Sequence, residues 1–164
     1  MSSKKYLSSL ACCLVIGSGH ACEPTVSFEA VLEDQARLMT TIVQQRIESQ
    51  SAGPTKSSND AAVWGAIGND CLTSSIVVIV NGTEIVFQKN SVRDLRALQI
   101  GPTFIHKPII TGTANQFELR LAGGDGGESY KAIFKVKNRK LQQRTIFAFG
   151  KDGEWSVREV RQFK

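Results

Sequence analysis

The chain has 164 residues, of which 41% are apolar, 7% aromatic and 21% charged, with a formal net charge of +5. This is globular composition with room for one packed core, and it excludes a disordered or collagen-like chain. After the N-terminal segment no apolar run is long enough to span a bilayer, which excludes a polytopic membrane protein.

The opening residues read as a secretory signal. Lys4 and Lys5 precede an apolar stretch from Leu7 to Gly17, and Gly19 and Ala21 are small residues ahead of Cys22. Residues 1–21 are therefore expected to be removed, leaving 22–164 as one mature domain. A cysteine after the cut raises lipid anchoring at Cys22. Gly19 and His20 fit a lipobox poorly, so soluble export to a bacterial periplasm or to the medium is the better reading. Cys12 and Cys13 leave with the signal, and Cys22 and Cys71 remain as an even pair expected to form a disulfide. Closing a loop of about fifty residues removes roughly 4 kcal/mol of unfolded-state entropy.

From Ser27 to Glu48 the apolar residues Phe28, Val31, Leu32, Met39, Ile42, Val43 and Ile47, with Ala36 between them, fit helical spacing, and Ser27 can cap the start. A long N-terminal helix is expected there. Ser49 to Asp60 is a Ser/Gly/Pro-rich flexible loop, and Ala61 to Ile67 reads as a short helix anchored by Trp64. Ser75 to Val80 and Thr83 to Phe87 are β-branched runs around Asn81-Gly82, the pair favoured in a type I′ hairpin. Asn81-Gly-Thr83 is also a glycosylation sequon, disfavoured by the tight turn. Ser91 to Leu98 reads as a short capped helix, ended by Gly101-Pro102.

The remainder alternates with period two. Phe104 to Thr113 contains Pro108 and belongs on an edge. Phe117, Leu119 and Leu121 share one face, and a glycine-rich connection at 123–127 leads to Tyr130 to Lys137. Asn138-Arg139 turns the chain into Leu141 to Phe149. An unbroken ladder then sets Val136 against Leu141, Phe134 against Gln143, Ala132 against Thr145 and Tyr130 against Phe147. A three-residue loop, Lys151-Asp152-Gly153, places Phe149 opposite Trp155 and Phe147 opposite Val157, with every aromatic on the buried face.

The expected fold class is therefore α+β: a long N-terminal helix packed on a curved antiparallel sheet made of a hairpin, a short helix and a C-terminal meander. This order of elements is similar to NTF2-like cone folds and, less closely, to cystatin-like folds. The resemblance implies a cavity between helix and sheet, and it assigns no site residues.

Few residues carry obvious chemistry. His106 is the only histidine after the signal, and with both remaining cysteines paired no Cys/His metal site and no Cys–His nucleophile is expected. No cofactor is implied, because the glycine-rich connection joins two strands and no Gly-Lys-Ser/Thr follows it. Charge is uneven, with eight basic against twelve acidic residues over 22–128 and ten against three over 129–164. The unbroken ladder puts Lys131, Lys135, Lys137, Lys140 and Arg144 on the outward face, a basic stripe suited to a partner protein or another anionic surface. Its competing reading is a set of lysines that discourage strand-to-strand aggregation. Stacking aromatics are not expected on that face, so nucleic acid is not the expected partner. The same ladder gathers Gln143, Thr145, Glu159 and Arg161 at the inner end, as polar groups of a small-ligand cavity or as solvated side chains. The function expected is an exported, non-enzymatic binding protein of the inhibitor, immunity or envelope-assembly kind. The alternative is an NTF2-like ligand-binding domain or small enzyme.

Overall fold

Alternation rather than helical spacing governs the first elements. The computed structural model describes residues 25–46, 64, 71–100, 107–124 and 129–164. The signal segment, Cys22, the loop at 49–60, His106 and all of the expected 61–67 helix except Trp64 lie outside these residues. β1 (Thr25–Val31) and β2 (Arg37–Arg46) form an antiparallel pair where the long helix was expected. Val26, Phe28 and Ala30 of β1 lie opposite Ile42, Thr40 and Leu38 of β2, all on one face. The run Thr40-Thr41-Ile42-Val43 is β-branched and stiff at χ1, which favours a pleated strand over a helix. Between the strands, Gln35 takes a left-handed conformation with φ 65°. Asp34 fastens this turn, its Oδ1 accepting from the Ala36 amide at 3.3 Å and its Oδ2 from the Ala114 amide at 2.9 Å.

Two antiparallel sheets result. The first has the order β1-β2-β3-β4, with β3 (Cys71–Val80) and β4 (Thr83–Phe87) forming the hairpin that Asn81-Gly82 announces. Both turn residues have positive φ, as type I′ geometry requires. The second has the order β5-β6-β7-β8-β9: β5 (Ile109–Thr113), β6 (Gln116–Gly123), β7 (Tyr130–Lys137), β8 (Lys140–Phe149) and β9 (Trp155–Gln162). The α+β class and the helix-on-sheet architecture are thus replaced by an almost wholly β structure, and the likeness to NTF2-like and cystatin-like element order falls with the helix. Among the described residues only Lys89–Ser91 form a helical turn, a short 3₁₀ turn where Ser91 to Leu98 was expected to be α-helical.

The sheets share one core. Leu38, Ile42, Ile76, Val78 and Phe87 of the first pack with Phe117, Leu119, Phe134, Val136 and Ile146 of the second. Phe87 and Phe134 meet across it with ring centroids 5.2 Å apart. After the 3₁₀ turn the chain passes along the ends of both sheets, turning at a left-handed Ala97 with φ 49°. The Thr73 amide donates to Leu95 O and the Ala97 amide to Cys71 O on the β3 side, while the Gln99 amide donates to Ala122 O and the Gly124 amide to Ala97 O on the β6 side. Trp64 joins this segment through a parallel bridge to Leu95.

Candidate functional site

Two β-bulges decide what the C-terminal strands present. Val136 faces Leu141 as the unbroken ladder requires, but Lys135 faces Gln143, so Gln142 is an extra residue on β8. Beyond it Phe134 faces Arg144, Ala132 faces Ile146 and Tyr130 faces Ala148. A second bulge makes Arg158 the extra residue of β9: Phe147 faces Val157, yet Ile146 faces Glu159 and Arg144 faces Arg161. Each bulge turns the side chains beyond it to the other face. Packing favours this exchange, because Ala148 leaves room beside the fully buried Tyr130, where Phe147 would crowd it. The Tyr130 ring lies against Gly123, where any Cβ would collide with it, and its hydroxyl donates to Arg96 O at 2.7 Å.

The exchange redistributes every residue of the two expected constellations. Lys131, Lys135, Lys137 and Lys140 do share the exposed outer face. Arg144 does not belong with them; its side chain is fully buried. Glu159 and Arg161 do face inward, but Gln143 and Thr145 lie on the outer side, where Gln143 Nε2 donates to Thr145 Oγ1 at 2.8 Å. Trp155 and Phe149 are likewise outside, in an edge-on contact with centroids 5.4 Å apart.

Inside, Arg144 is the centre of a four-residue ion cluster. Its guanidinium grips both carboxylate oxygens of Asp94, Nη1 to Oδ1 and Nη2 to Oδ2, the latter at 2.6 Å. Nη2 also donates to Glu159 Oε1 at 2.5 Å, and Nη1 to the Ser91 carbonyl at 2.7 Å. Arg161 closes the ring, with Nε 3.2 Å from Glu159 Oε1 and Nη2 3.5 Å from Asp94 Oδ2. The Trp64 indole donates to Glu159 Oε2 at 3.4 Å. Burial alone would lower the pKa of Arg144, but the hydrogen bonds and charges of Asp94 and Glu159 outweigh it and hold the guanidinium above its ordinary value. Two carboxylates and two guanidiniums pair here, with the buried Nε of Arg144 left without a partner among the described residues, and the cluster ties the 88–98 segment to β8 and β9.

The outer face of the second sheet has two ends. At one lie Lys135, Lys137, Lys140 and Arg120, with Glu118 as the counter-charge, 2.8 Å from Arg120 and 3.6 Å from Lys135. At the other, Phe147 adjoins Phe149, Trp155, Val157 and Val160, which are 37%, 38%, 53% and 54% exposed. Lys131 stands between them with its Nζ 4.0 Å above the Trp155 ring, in cation–π contact. Reasoning from a straight ladder missed this aromatic end because it assigned Phe147, Phe149 and Trp155 to the core. The available signal was Arg158-Glu159 inside an otherwise alternating strand.

Other chemistry is sparse among the described residues: no cluster of three or more His, Cys, Asp or Glu side chains is placed to hold a metal ion. No described helix is long and apolar enough to cross a membrane, which says nothing of strands. Cys71 is buried at the first position of β3. Comparison of the chain with known protein families, curated proteins and solved structures finds no match.

Proposed function

We propose that this is an exported, non-enzymatic binding protein that docks the outer face of its second sheet on a partner protein presenting acidic and apolar groups side by side. The observation that carries the reading is the juxtaposition on one face of Lys131, Lys135, Lys137 and Lys140 with exposed Phe149, Trp155, Val157 and Val160. Exposed aromatics with a basic margin are the composition of a docking surface: Trp supplies the buried anchor and the lysines supply orientation and attraction. Export and a Cys22–Cys71 disulfide complete the proposal, on the strength of the N-terminal pattern. The inner residues favour no ligand, because Glu159 and Arg161 already satisfy Arg144 and Asp94.

The experiment is cross-linking and mass spectrometry in the native envelope with the wild type, with Lys131, Lys135 and Lys140 all changed to Glu, and with Trp155→Ala. The triple variant should lose the cross-linked partner in a salt-sensitive manner, and Trp155→Ala should lose it at any salt. Cross-links that persist in both variants, or that map away from this face, would overturn the reading.

A further inference from the structure

β9 ends the second sheet, and no described strand pairs with its outer edge. The opposite edge of the same sheet is blunted: β5 has five residues, follows Pro108 directly and is kinked at Gly112, whose φ is +116°. β9 has eight residues with no Pro or Gly, interrupted by the one bulge at Arg158. It therefore leaves a long row of backbone donors and acceptors beside three exposed apolar side chains, Trp155, Val157 and Val160.

The geometry points to a second copy of this chain as the occupant of that edge, in a dimer whose two β9 strands pair antiparallel about a two-fold axis between Arg158 and Glu159. All eight residues of each strand then find a partner. Trp155 meets Gln162 of the second copy, Ser156 meets Arg161, Val157 meets Val160, and the bulge residue Arg158 stands beside the axis opposite Glu159. An ordinary strand could not pair this way. Residues an odd number of positions apart lie on opposite faces, so outer side chains would meet inner ones. The bulge at Arg158 reverses the alternation, leaving Trp155, Val157, Val160 and Gln162 all on the outer face and Ser156 and Arg161 on the inner one. The pairs Trp155–Gln162, Ser156–Arg161 and Val157–Val160 are consequently face-matched, and symmetry makes each occur twice. Trp155 also lies diagonally next to Val160 of the second copy, within reach of an aromatic side chain. The aromatic end of one outer face thereby continues into that of the other across a ten-stranded sheet.

The test is sedimentation of the purified protein from micromolar to millimolar concentration. The wild type should shift reversibly from monomer to dimer. The variant combining Val157→Lys with Val160→Lys, which sets like charges directly opposite, should weaken the dimer by about tenfold or more. Both sites are more than half exposed, so the fold should survive, and an unchanged thermal midpoint checks that. A second measurement fixes the register: Val157→Cys and Val160→Cys chains, mixed under oxidation, should give a disulfide-linked dimer that neither gives alone. A monomer throughout the range would overturn the inference. So would a dimer indifferent to the lysine pair, or cross-linking by Val157→Cys alone.

Discussion

The two faces of β7, β8 and β9 carry the same kinds of residue and use them in opposite ways. On the inner face Arg144 is stripped of water and held by two carboxylates; on the outer face four lysines stand in solvent, one of them over an indole. A buried charge is costly unless every donor is matched, and removing its partner leaves the full desolvation penalty behind. An exposed lysine carries almost no such penalty and gains little from Glu118. The inner arginine is therefore a structural commitment, whereas the outer lysines are free to be spent on a partner. What separates the two roles is a single extra residue, Gln142.

Arg144→Met puts the largest strain on that contrast. It leaves Asp94 buried without its main counter-charge and should cost about 3–5 kcal/mol in urea denaturation. A loss below about 1 kcal/mol would mean that Arg144 faces solvent with the lysines. Next comes Tyr130, whose pKa is raised above the ordinary tyrosine value first by burial and then by the charge of Asp94, with Arg144 acting the other way. A raised folded-state pKa favours the protonated form, so its stabilisation is present below about pH 10 and is lost as pH rises through the folded value. Tyr130→Phe should cost about 1–2 kcal/mol at neutral pH through the bond to Arg96 O, and should flatten the alkaline loss of stability seen in wild type. On the outer face Trp155→Ala should cost only about 1 kcal/mol, since the indole is part exposed and keeps one ring contact and one cation contact. Smallest of all, changing Lys131, Lys135 and Lys140 together to Glu should move the unfolding free energy by less than about 1 kcal/mol while acting on partner capture.

The β3–β4 hairpin and much of the second sheet were legible in the residues, and the reasons are local. Asn81-Gly82 and Asn138-Arg139 fix their hairpins through turn chemistry, and both pairs have positive φ. Tyr130, Ala132, Phe134 and Val136 alternate so cleanly that their burial follows from the pleat alone. The β1–β2 half of the first sheet was misread because Phe28, Val31, Leu32, Ala36 and Met39 satisfy a helical stripe as well as they satisfy two strands around a turn. Asp34 and the β-branched run at 40–43 were the better guide. The site failed for a different reason. A bulge obeys no period: it is chosen by which side chains fit opposite Tyr130 and which carboxylates await Arg144, and both are facts of tertiary packing. Asp94 lies fifty residues from Arg144, in a segment read as helix, so no spacing rule joins them.

The segment at 94–99 acts as a stitched seam between the sheets. Its amides and carbonyls bond first to the start of β3, through Leu95 and Ala97, and then to the end of β6, through Ala97 and Gln99, while Asp94 at its start is bound to β8 through Arg144. Neither sheet can separate from the other without unpicking this line. Opening here therefore requires the two halves to come apart together, and the amides of Thr73, Ala97 and Gln99 should exchange with solvent only at the rate of global unfolding. A connector bonded to three separate elements at once reinforces the single melting unit that the shared core already makes of the two sheets.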